Sequence, residues 1–84
     1  MKYAADRPFA NPEAAARKLL DIVRASVAES GLRHAYTGAA NAAFTRAGGS
    51  VPEYVAGRDH AVARRWIEID PSGSRIILLP DGAE

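Results

Sequence analysis

The amino-acid sequence predicts a small α+β domain, and three observations carry that prediction. A helix with clear start and stop signals runs from Asn11 to Gly31. A second helical pattern opens on Ser50-Val51-Pro52-Glu53 and runs to about Arg65. It leads directly into a hairpin, Trp66–Asp70 and Arg75–Leu79, around Pro71-Ser72-Gly73-Ser74. Between the two helices lie a short strand, Leu32–Tyr36, and an alanine-dominated helix from Gly38 to about Ala47. The expected order is helix, strand, helix, helix, strand, strand.

Composition bounds the chemistry. With 84 residues, 48% of them hydrophobic and 25% charged, the chain is one ordinary globular domain. Eighteen of the residues are alanine and fill little core volume, so a sheet or a second subunit is expected to help a thin core. The absence of cysteine excludes a disulfide framework and thiolate chemistry. No apolar run approaches the ~20 residues that span a bilayer, and no apolar segment follows Lys2 as in a secretory signal. A cytoplasmic location is the expectation. The net charge is +1, low for a dedicated DNA binder. It is also unevenly placed, +3 over residues 1–50 and −2 over residues 51–84.

Residues 1–10 lack periodicity and read as an arm, with Tyr3 and Phe9 as anchors, leaving a single domain over residues 11–82. In the first helix Asn11 is the N-cap, Pro12 sits where its missing N–H costs nothing, and Glu13 suits the dipole. Ala16, Leu19, Leu20, Val23 and Val27 form one apolar stripe opposite Arg17, Lys18, Asp21 and Arg24. Gly31 ends the helix as a left-handed cap. In the following strand Leu32, His34 and Tyr36 share a face. Thr37 is expected to cap the alanine-rich helix, whose one large apolar residue, Phe44, is the peg into the core.

Ser50 and Glu53 make a capping box. From spacing, Val51, Val55, Val62 and Trp66 are expected to form the buried stripe of the third helix, flanked by Tyr54 and Ala61. Glu53, Gly57, His60 and Arg64 then line its solvent face, with Arg58 and Arg65 at the edge. Gly57 costs ~1 kcal/mol relative to Ala in mid-helix, a cost that a close contact would justify. In the hairpin, Ile67 and Ile69 alternate with Glu68 and Asp70, and Asp70-Pro71-Ser72-Gly73 suits a type I turn. The return strand, Arg75–Leu79, is apolar on both faces and needs cover from the arm or from a second copy. Pro80-Asp81-Gly82 ends it, with no further helix expected.

From Asn11 to Gly82 this order resembles the winged helix-turn-helix superfamily. The phrases Asn11–Leu19, Ala47-Gly48-Gly49-Ser50 and Ala61–Gly73 are similar to a group of small, uncharacterised proteobacterial proteins. The resemblance implies a small winged helix whose return strand is central in the sheet. It implies DNA binding through the third helix and hairpin, or protein contacts instead.

Two functions follow. For double-stranded DNA, Arg58, His60, Arg64 and Arg65 would meet phosphates or base edges, Arg75 would anchor the hairpin, and Gly48-Gly49-Ser50 would aim helix N–H groups at a phosphate. Glu53 and Asp59 count against this reading. The alternative is a protein-interaction module, a homodimer in its simplest form, that uses Ile76 and Leu78 with Tyr3 and Phe9. Catalysis, cofactors and metal binding are not expected. His34 and His60 match no metal-ligand spacing, and Gly38-Ala39-Ala40-Asn41 lacks the Gly-Lys-Ser/Thr of a phosphate loop. No nucleophile is paired with a base.

Overall fold

The computed structural model describes residues 7–84, so Tyr3 lies outside the described residues. The elements are α1 (Pro12–Ser30), β1 (His34–Tyr36), α2 (Thr37–Arg46), α3 (Val51–Ala63), β2 (Ile67–Ile69), β3 (Arg75–Leu78) and α4 (Pro80–Ala83). The predicted α+β order is present, with one added helical turn at the end.

Local chemistry accounts for most boundaries. The Asn11 side chain accepts from the Glu13 and Ala14 amides at 2.8 and 3.3 Å. At the other end Gly31 adopts φ 78°, and its N–H bonds the Val27 carbonyl. Ser50 and Glu53 close the expected capping box. The hairpin turn closes with the Gly73 N–H on the Asp70 carbonyl at 2.9 Å.

The sheet is antiparallel, in the order β1-β3-β2. Ile76 of the central strand is in register with Ala35 on one side and Ile69 on the other. Alternation along the strands puts Ala35, Ile67, Ile69, Ile76 and Leu78 on the face toward the helices. Ile76 and Ile67 are fully buried there with Leu19, Val23 and Phe44. Leu78 packs against this core. The expectation that Ile76 and Leu78 present an interaction surface is therefore corrected: both point inward. Ile77 occupies the outer face, in register with His34 and Glu68. The arm does not cover this strand through Phe9, whose ring packs on Phe44 with centroids 5.0 Å apart.

Three further expectations change. Thr37 is not a cap. It is the first residue of α2, Tyr36 holds the cap position without a side-chain bond, and the Thr37 hydroxyl donates to the Gly73 carbonyl at 2.7 Å. The Thr37 N–H bonds the Ser74 carbonyl, so the hairpin turn satisfies a donor that a cap would otherwise serve. The chain also does not stop at β3. Pro80 and Asp81 start a single turn, α4, and Arg24 donates to the Gly82 carbonyl. Gly82 lies so close to the Trp66 carbonyl that a side chain there would collide with it.

The third correction concerns α3, whose face is inverted. Tyr54, Gly57 and Ala61 are buried, whereas Val51, Val55 and Val62 are 67%, 37% and 40% exposed. The cause is the packing against α1. A Cβ on Gly57 would stand 2.8 Å from Ala15 Cβ and 2.9 Å from the Ala15 carbonyl carbon. Small residues on both helices bring the backbones together, and Tyr54 contributes the large ring that a valine cannot supply. Trp66 does not extend the valine stripe because α3 has already ended. The Trp66 N–H bonds the Ala61 carbonyl, the Arg65 N–H bonds that of Val62, and Arg65 takes φ 62°. This is a Schellman motif with arginine where glycine is usual, and it turns Trp66 into the core.

Two substitutions with opposite signs follow. In most mid-helix positions Gly→Ala stabilises by about 1 kcal/mol; Gly57→Ala should instead destabilise by roughly 1–3 kcal/mol, since it overpacks a closed contact. Arg65→Gly should stabilise by about 1 kcal/mol by relieving a left-handed non-glycine residue. Urea unfolding midpoints of the two variants check both, and a gain in Gly57→Ala would contradict the close-approach account.

Candidate functional site

The exposed face of α3 is the most distinctive surface of the fold. At 100° per residue, Val51, Val55, Arg58, Asp59 and Val62 share about 100° of arc. Arg58 lies beside Asp59, its Nε and Nη2 donating to Asp59 Oδ1 at 3.2 and 3.1 Å. Near the C-terminal end of α3 the valine face borders an open depression of about 270 Å³, lined by Val62, Arg65, Ile67, Glu68 and Leu79.

The residues expected to contact DNA are held by different partners. Arg64 places its guanidinium carbon 5.0 Å from the Trp66 ring centroid, and Arg17 of α1 stands 5.2 Å from the same centroid. His60 turns an edge to Trp66 at 6.2 Å, and its Nε2 is buried without a hydrogen-bond partner. Both follow from the inverted face of α3, which carries His60 and Arg64 toward the α1 side. Arg75 pairs with Asp70 at 3.4 Å within the hairpin. Arg65 is exposed at the rim of the depression.

The start of α3 is likewise engaged. Ser50 Oγ accepts from the Glu53 amide at 3.3 Å, and the Ser50 amide donates to Glu53 Oε1 at 3.0 Å. The Gly48 and Gly49 amides bond the Thr45 and Phe44 carbonyls at 3.0 Å each. A carboxylate of the chain itself thus occupies the place where a phosphate was expected. Arg7 clamps that carboxylate from outside, Nε to Oε2 at 2.7 Å and Nη2 to Oε1 at 2.8 Å. The Arg7 guanidinium and the Ser50 amide together hold the Glu53 carboxyl at about 2.

Asp70 shows the same logic at the hairpin. Desolvation alone would push its carboxyl up. The Arg75 amide, the Ser72 hydroxyl and the Arg75 guanidinium outweigh it and keep the carboxyl below its ordinary value. Burial pushes the Tyr54 phenol up, and its hydroxyl has no hydrogen-bond partner.

A larger open cleft of about 480 Å³ lies beside α4, lined by Arg17, Leu20, Asp21, Arg24, Trp66, Asp81 and Glu84. Its charges are of both signs, and the Arg24 Nε is engaged with the Gly82 carbonyl.

Compared with protein families, curated proteins and solved structures, the chain matches none. Among the described residues no three metal-ligating side chains gather, and no helix is long and apolar enough to cross a membrane.

The valine face was missed from sequence because three valines at helical spacing read as core. The signal that identifies it is the pairing of small residues, Gly57 and Ala61 on one helix with Ala15 and Ala16 on the other.

The Arg7–Glu53 clamp has a pH signature. A carboxyl held at about 2 in the folded chain against an ordinary 4.5 stabilises the fold at neutral pH. That contribution is fully present above about pH 4.5 and is lost as pH falls toward 2. Glu53→Gln should therefore melt at lower temperature than the parent at pH 7, with the difference shrinking between pH 4.5 and 2. Thermal melts of both proteins across that range check it; a constant difference would mean that the carboxylate charge is not the source.

Proposed function

We propose that this chain is a protein-interaction domain of winged-helix-like build that docks an apolar protein surface on the outer face of α3. The observation that carries the proposal is the exposure of Val51, Val55 and Val62 on one side of that helix. A helix that enters the major groove presents basic and polar side chains to base edges and phosphates. Here the outward arc carries three valines around one arginine–aspartate pair, with the exposed Arg64 and Arg65 confined to the C-terminal end of the helix. Aliphatic side chains of this kind suit an interface, and the arginine–aspartate pair between them adds a charge pattern that a partner must match. The competing reading, recognition of double-stranded DNA by α3 and the hairpin, draws on element order.

A photo-crosslinking residue at position 55 tests the proposal in cells, with position 29 on the exposed end of α1 as the control. Position 55 should yield a discrete protein adduct and position 29 none; the absence of a protein adduct at 55 would overturn the reading. In parallel, the purified protein should leave labelled random duplex unbound at low salt and tens of micromolar protein. Binding that weakens with a log–log salt slope of roughly −3 to −4 would restore the DNA reading.

A further inference from the structure

We infer that the partner of the α3 face is a second copy of this chain, with the two α3 helices antiparallel about a two-fold axis between Arg58 and Asp59. The inference rests on the interaction reading above and specifies its occupant. A two-fold contact is isologous, so each residue must find its complement at the position reflected through the axis. An axis between positions 58 and 59 sets Val55 opposite Val62 of the second copy. The same axis sets Arg58 opposite Asp59. Both pairings occur twice, and all four side chains share the exposed arc of the helix.

Two further observations fit this axis. Val51, the most exposed of the valines at 67%, lies 7.5 residues from it, about 11 Å along the helix. Its reflected position is 66, just past the end of α3. The depression lined by Val62, Arg65, Ile67, Glu68 and Leu79 lies there, and its aliphatic side chains offer Val51 of the second copy a seat between the two charged ones.

The second observation is the Arg58–Asp59 pair itself. Adjacent helix positions do not face each other, and the two side chains are 36% and 66% exposed. Such a surface pair contributes little within one chain and is free to exchange for partners across the axis.

The contact is small. An α3 of 13 residues is about 20 Å long, so the interface is smaller than the standard ~800 Å² per partner and the dimer is weak. The depression adds area at each end of the helix pair.

Charge reversal tests the inference on the purified 84-residue chain by sedimentation equilibrium up to about 1 mM. The parent should dimerise. Arg58→Asp alone sets aspartates against each other, and Asp59→Arg alone sets arginines against each other. Each should weaken self-association by at least about tenfold. An equimolar mixture of the two single variants should associate one-to-one, because both charge pairs are then opposite in sign. The double variant, Arg58→Asp with Asp59→Arg, should dimerise like the parent. Both positions are on the surface, and circular dichroism confirms that each variant is folded.

A parent that stays monomeric at 1 mM would overturn the inference, as would single variants whose mixture stays monomeric. The two proposals fail separately. A crosslinked adduct from position 55 at twice the chain mass supports the dimer. An adduct of any other mass removes the dimer and leaves the interaction reading standing, and no protein adduct removes both.

Discussion

The structure depends on how closely α1 and α3 approach. Gly57 meets Ala15 and Ala16 directly, and Ala61, one turn further along α3, keeps the same buried side free of bulk. With the backbones drawn together, the remaining choices are made. Tyr54 has to turn inward beside Phe44, with ring centroids 5.8 Å apart. The valines, lying on the other side of the same helix, have to turn outward. One glycine thus sets both the interior of the helix pair and the character of the surface behind it. Dispersion explains why this arrangement wins: contacts at van der Waals distance are individually small but numerous, and they fall off steeply with any gap.

Much of the fold was legible because much of it is local. The Asn11-Pro12-Glu13 start, the Gly31 stop, the Ser50–Glu53 box and the Asp70–Gly73 turn are each written in three or four neighbouring residues, and the backbone obeys them. The inverted face of α3 was not legible. Its sequence offers two alternatives, a valine side and a small-residue side, and local periodicity favours the valines. Only the matching alanines on α1, some forty residues earlier in the chain, decide between them. The one-turn α4 and the Thr37 hydroxyl bond fail to show for the same reason. Their partners, Arg24, Trp66 and Gly73, are distant in sequence.

The expected site residues follow the face of α3, so their surroundings change with it. His60, expected on the solvent face, turns a ring edge to Trp66, whereas Arg64 is exposed as expected and lies over the same ring. Glu53, counted as an acid that would repel DNA, is the fixed acceptor for Arg7 and for the start of α3. The Glu53 carboxylate is engaged within the fold, and the outward arc of α3 carries three valines around the Arg58–Asp59 pair.

The strand order has a consequence for how the molecule assembles. β3 is the centre of the sheet, and it follows both of its neighbours in sequence. Neither β1 nor β2 has a neighbour until residues 75–78 arrive between them. The turn before it supplies the Gly73 and Ser74 carbonyls that receive Thr37, and the strand itself carries Ile76 into the core. Helices and the β2–β3 hairpin can flicker early, since their bonds are local, but pairing β1 with β3 joins residues about forty positions apart. Folding of this kind is slow to nucleate for a chain so short. Without β3 the apolar undersides of α1 and α2 would lie exposed together, the kind of surface that draws aggregation or chaperone binding while a chain folds.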